Sequence, residues 1–142
     1  MKPRSAFLIA LALSGCAPDA TGNWQGSCWM ELNPAVYSSP GLDLGPHEWA
    51  LTMEMTEEDE RLSGDFDFDS SFDGMSGNGD IEGSRSELTL TMSLDYIVGN
   101  ERGRFELEVD HEEEDISGDG ALYNAKDNTL QADGDCDLEY RF

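Results

Sequence analysis

The chain has 142 residues, 31 of them Asp or Glu and only 8 Lys or Arg, for a formal net charge of −23. That excess argues against nucleic acid as a partner and against electrostatic docking on anionic lipid headgroups; it leaves cationic proteins, basic peptides and divalent cations as compatible ligands. A chain of this size fits one domain, burying roughly two thirds of the surface its unfolded form exposes.

The first element is not part of that domain. Lys2 and Arg4 precede a short apolar run, Ala6 to Leu13, and then small residues. About 8 apolar residues fall far short of the roughly 20 a membrane-spanning helix needs, so residues 1–15 read as a signal peptide. Leu13-Ser14-Gly15-Cys16 resembles the lipobox of bacterial lipoproteins, Leu-(Ala/Ser)-(Gly/Ala)-Cys, at all four positions. The resemblance implies a lipoprotein cut before Cys16, with a diacylglyceryl group on the Cys16 thiol and an acylated new amino terminus. Two acyl chains already give stable anchoring, so three imply lasting membrane attachment. In the Gram-negative members of that family an Asp after the lipidated cysteine retains the protein in the inner membrane; Ala17 stands there here, which implies the outer membrane. The alternative is an ordinary secretory signal cut between Cys16 and Thr21. On the lipoprotein reading residues 16–22 form a lipidated terminus and short tether, and residues 23–142 the domain. Removing residues 1–15 takes away Lys2 and Arg4 and no acid, so 6 basic residues face 31 acidic ones, a net charge of −25.

Beyond the tether the dominant period is two, the mark of strands with one face buried and one wet. A first strand over Asn23–Leu32 aligns Trp24, Cys28, Met30 and Leu32. A second over Glu48–Thr56 aligns Trp49, Leu51, Met53 and Met55, and a third over Glu60–Asp69 aligns Leu62, Phe66 and Phe68. A weak fourth over Gly77–Ser84 offers Gly79, Ile81 and Gly83, and a strong fifth over Glu87–Tyr96 aligns Leu88, Leu90, Met92, Leu94 and Tyr96. The sixth, Arg102–Asp110, carries Phe105, Leu107 and Val109; the seventh, Asp115–Leu122, carries Ile116 and Leu122. The eighth, Thr129–Phe142, aligns Leu130, Ala132, Cys136, Leu138, Tyr140 and Phe142 on one face. Short turn-forming connections such as Val98-Gly99-Asn100 predict antiparallel hairpins. Leu51-x-Met53-x-Met55 followed by Leu62-Ser63-Gly64-Asp65 is echoed 54 residues later by Phe105-x-Leu107-x-Val109 and Ile116-Ser117-Gly118-Asp119.

Cys28 and Cys136 remain once Cys16 is committed to lipid. An exported protein meets an oxidising compartment, so the pair reads as a disulfide, and with two histidines in the whole chain a zinc site is a poor rival. The two cysteines lie on the apolar faces of the first and last strands, which must therefore be close. The expected fold is all-β: an antiparallel up-and-down β-barrel of about eight strands, with a β-sandwich as alternative. Gly22-Asn23-Trp24 resembles the Gly-x-Trp that opens the first strand of lipocalins and, more loosely, the opening of avidin-type barrels. That resemblance implies a binding barrel, and Asn33 to His47 falls where lipocalins carry a barrel-covering loop; the C-terminal helix of that family is missing.

Catalysis is not expected: His47 sits in a Pro/Gly loop and His111 in an acidic turn, with no nucleophile signature beside either. An eight-stranded barrel is just wide enough to be filled or to hold one small molecule, so a small apolar ligand in the lumen would meet Trp24, Trp49, Phe66 and Tyr140. Trp29 faces outward among Gln25, Ser27 and Glu31 and marks a protein-binding surface; on that reading the chain is an acidic binding or inhibitor module for a cationic envelope or secreted protein. No cofactor and no metal are expected. The stretch DFDFDSSFDG, Asp65 to Gly74, superficially resembles a calcium loop, but an EF-hand loop begun at Asp65 would need glycine where Ser70 stands and a bidentate Glu where Ser76 stands. Asp65, Asp67 and Asp69 read instead as the wet side of the third strand, and only Asp69 to Asp80 keeps a claim on a cation.

Overall fold

Burial alternates along most of the described chain, and the alternation resolves into eight strands. The computed structural model describes residues 19–142; Cys16 and residues 1–15 lie outside them. The strands are β1 (Gly22–Leu32), β2 (His47–Glu58), β3 (Arg61–Ser70), β4 (Ser76–Ser86), β5 (Thr89–Val98), β6 (Glu101–Glu112), β7 (Asp115–Asn124) and β8 (Thr129–Arg141). Each pairs antiparallel with its sequence neighbours, and β1 pairs with β8, giving a closed up-and-down barrel. Closure leaves no strand edge free to template aggregation, which matters for strands this long and flat in pattern. The described residues contain no helix.

The seam between β1 and β8 carries the disulfide. Cys28 stands opposite Cys136 in the register, with Trp24 opposite Tyr140 on the same inner face, and the two sulfurs are bonded. One end of the barrel, the base, holds three two-residue turns, Asp59-Glu60, Glu87-Leu88 and Glu113-Glu114. Asp59, Glu60, Glu87 and Glu113 take positive φ there (54°, 65°, 57° and 55°), the backbone that tight hairpin turns require. The other end, the mouth, carries the longer loops. Tyr37, Leu42 and Leu44 of the loop 33–46 pack onto the core, and the loop is tied down where Leu32 N–H donates to Leu44 C=O (2.8 Å) and Asn33 N–H to Gln131 C=O (2.8 Å).

The two echoed hairpins coincide residue for residue. Each bound of β6 and β7 is the corresponding bound of β2 and β3 plus 54, and the pairing register is likewise shared, Glu58 opposite Arg61 in one and Glu112 opposite Asp115 in the other. Glu57 and His111 are equivalent positions in these hairpins.

Some expectations need correction. β2, β4, β5, β6 and β7 each run two residues past their expected ends. Leu88, expected inside β5, lies in the Glu87-Leu88 turn. Leu130 leaves the inner face: the register of β7 and β8 slips at Leu122/Tyr123, Leu122 facing Ala132 and Tyr123 facing Leu130. Gln131 is the extra residue of that bulge and shifts the parity of everything before it. Phe142 lies beyond β8 and is 96% exposed, its ring edge to face with that of Tyr140 at 5.0 Å. The inward glycines make room for neighbours. A Cβ on Gly103 would sit 2.2 Å from the ring of Tyr96 across the pair, and one on Gly134 would sit 2.1 Å from the Trp29 carbonyl oxygen. The first lets an aromatic ring lie flat on the wall; the second lets two strands approach closely at a barrel corner.

Candidate functional site

The residues expected to line a lumen pocket are divided between levels of the barrel. Trp24 and Tyr140 meet edge to face near the base, centroids 5.3 Å apart. Phe66 belongs to a separate layer, 6.0 Å from Phe105, which in turn lies 5.3 Å from Phe68. Trp49 is buried opposite Cys28 and Ser70 in the register. The structure therefore brings Trp24 and Tyr140 together and keeps Trp49 and Phe66 apart from them. Since β3 and β6 are three strands apart in the ring, as are β1 and β6, the Phe66–Phe105 and Trp24–His111 contacts (6.0 and 5.3 Å) cross the barrel rather than run along its wall. Nearer the mouth, Tyr96 packs 4.5 Å from Phe68. Burial, reinforced by Asp73, Glu101 and Tyr37, pushes its hydroxyl up to about 12.

At the base three polar side chains enter the lumen together, and sequence reasoning missed all three as a group. Glu57 from β2, Arg85 from β4 and His111 from β6 each continue the inner face of their strand one step past its last apolar residue. Arg85 Nε donates to Glu57 Oε2 (2.7 Å) and Nη2 to Glu57 Oε1 (2.9 Å), a bidentate pair, while Nη1 donates to the Glu87 carbonyl (3.1 Å). Arg85 Nη2 also lies 2.8 Å from His111 Nδ1, and His111 Nε2 lies 3.0 Å from the Glu113 carbonyl. A guanidinium can only donate and a carbonyl can only accept, so Nδ1 is the acceptor and Nε2 carries the proton: the imidazole is neutral. The Arg85 and Glu57 side chains are 3% and 8% exposed, and a buried ion pair holds only when its remaining donors and acceptors are satisfied, as these are.

The N-terminal segment closes the base over this network. Ala20, fully buried, donates its N–H to Glu57 Oε1 (2.8 Å), and its carbonyl accepts the Trp24 indole N–H (2.9 Å). The Thr21 hydroxyl accepts from Glu57 N–H (2.9 Å). Asp19 turns back to accept from Thr21 N–H (2.9 Å), and these Thr21 hydrogen bonds hold its carboxyl below the usual range.

The outer wall carries the acids, and the register lines them up. Glu54, Asp65, Asp80 and Asp95 stand directly opposite one another across β2, β3, β4 and β5, ending at Arg104 on β6. A second row runs from Thr91 through Glu108, Asp119 and Asp135 to Trp29 and Glu48, crossing β5, β6, β7, β8, β1 and β2 without one basic residue. Like charges directly opposite on a sheet destabilise it. Beside the second row runs another, with Glu106, Ala121 and Asp133, and between the two lies an open trough of about 540 Å³ floored by Met92, Leu107, Gly120 and Gly134. Arg104 reaches Glu106 (2.6 Å) at one end and lies over the Tyr123 ring. Trp29, 51% exposed, stands next to Asp135 in the row. The alternation signals which residues face outward; only the register shows which carboxylates are neighbours.

Asp65, Asp67 and Asp69 are exposed residues of β3, and Asp69 accepts from the Ser76 hydroxyl across the turn. Among the described residues no group of three or more His, Cys, Asp or Glu side chains is placed to hold a metal ion. Comparisons with family models, curated proteins and solved structures found no match for the chain, so fold and site rest on geometry alone.

Proposed function

We propose that this chain is an exported, lipid-anchored, non-enzymatic β-barrel of lipocalin-like architecture whose outer wall docks a cationic protein. The carrying observation is the unbroken row Glu108–Asp119–Asp135 beside exposed Trp29 and along an open trough. Held opposite one another at a cost to the sheet, these carboxylates gain most from a Lys- or Arg-bearing surface, and a tryptophan beside them supplies apolar area and a face for a cation. The outer wall is favoured over a small apolar ligand in the lumen because aromatic contacts cross the barrel at two levels.

Isothermal titration with a Lys-rich peptide tests this reading. Binding should weaken steeply as salt rises, since exposed charges are screened within about 8 Å at physiological ionic strength, and Trp29→Ala should weaken it further. Binding indifferent to salt, or tight uptake of an apolar fluorescent probe with no affinity for the peptide, would contradict it. Anchoring through Cys16 predicts that Cys16→Ala moves the protein from the membrane to the soluble fraction; continued membrane association would refute that part.

A further inference from the structure

The buried network at the base has no part in the outer-wall reading, yet it holds the chain segment that leads to Cys16. Three features coincide there. His111 is 3% exposed, with its one acceptor nitrogen aimed at a guanidinium. Arg85 is anchored on Glu57, the carboxylate that also takes the Ala20 N–H. Ala20 in turn is held by the Trp24 indole, whose ring packs edge-on against His111 at 5.3 Å.

We infer that Glu57, Arg85 and His111 form an acid-operated latch that seats residues 19–21 on the barrel base at neutral pH and releases them when His111 takes up a proton. The step is a proton transfer from hydronium to Nδ1, which leaves a water molecule. It destroys the lone pair that accepts from Arg85 Nη2 and leaves two cationic donors facing one another across 2.8 Å, with Glu57 the nearest counter-charge to both. Arg85 must then swing away. The bidentate pair breaks, and Glu57 loses the geometry in which it receives the Ala20 N–H.

The charged and titratable groups facing His111 are Arg85 from β4, Glu57 from β2, Tyr140 from β8 beyond Trp24, and Asp19 from the N-terminal segment. Burial and Arg85 hold the imidazole below its ordinary value of 6.5, against the opposing pull of the Glu113 carbonyl, Glu57 and Asp19. The sign follows. With the folded value depressed, the unfolded or unlatched chain takes the proton first as pH falls. The stabilisation is therefore complete above about 6.5 and is lost as pH drops from there through the folded value.

Hydrogen exchange followed by NMR on the full chain tests the latch. Between pH 7.5 and pH 4.5 the protection of the Ala20 amide and the Trp24 indole N–H should fall by about ten- to hundredfold, the range expected for one lost hydrogen bond to a charged group, while the amide of Leu94 in the barrel wall stays protected. In His111→Gln, which can accept from Arg85 without titrating, the drop should vanish; His47→Gln should leave it unchanged. The idea is overturned if Ala20 and Leu94 lose protection together, if neither does while His111 titrates, or if His111→Gln keeps the same step. Should His111→Gln fail to fold, the comparison of Ala20 with Leu94 in the unmodified chain decides by itself.

Discussion

Arg85 places its whole guanidinium inside the barrel, on Glu57, His111 and the Glu87 carbonyl. Replacing Arg85 with Met keeps the volume of the stem and leaves Glu57 as a buried carboxylate whose only partner is the Ala20 N–H. Removing one partner of a buried ion pair costs about 3 to 5 kcal/mol, so Arg85→Met should lower the unfolding free energy in urea by that amount; a loss under about 1 kcal/mol would mean the pair is not buried in solution. Glu57, Arg85 and His111 were only partly legible in the sequence. A period-two reading scores apolar residues and stops where they stop, which leaves Glu57 and Arg85 outside the expected strands and His111 in an acidic turn. Carrying the parity one step further, from Met55 to Glu57, Gly83 to Arg85 and Val109 to His111, puts all three inside. What no single strand reveals is that three different strands deliver them to the same point, since that depends on closure.

At the scale of elements the reading from sequence succeeds where one face is apolar throughout and fails where a local irregularity resets the parity. All eight strands are found near their expected places, including weak β4, and the closure inferred from Cys28 and Cys136 is the closure observed. The bulge at Gln131 turns Leu130 off the inner face, and nothing in its composition announces it. The disulfide joins residues 108 apart in sequence at the seam of the barrel, buried against Gly120, where a Cβ would sit 2.3 Å from the Cys136 sulfur. Loss of a native disulfide from a small exported domain costs about 2 to 5 kcal/mol. The Cys28→Ser/Cys136→Ser protein should therefore melt well below the oxidised form, and a reducing agent should bring the unmodified protein to nearly the same midpoint. Equal melting of oxidised and reduced protein would show that strand pairing alone closes the seam.

For the molecule as a whole, two ends and one wall have distinct characters. The base holds the N-terminal segment, the mouth holds the packed loop 33–46, and the wall carries carboxylates in rows. If Cys16 is lipidated, its four-residue separation from Ala20 spans at most about 14 Å, so the base would face the membrane and the wall would stand free for a partner. The acidic excess was plain in the composition; its arrangement into a row beside Trp29 emerges only from the register of five strand pairs. The most direct test of the outer-wall claim is to map a Lys-rich peptide onto the protein by NMR. Low-salt shifts should concentrate at Glu108, Asp119, Asp135 and the Trp29 indole, fade in high salt and leave Phe66 and Phe105 unmoved. Shifts centred on Phe66, Phe105 and the mouth loop instead would contradict it.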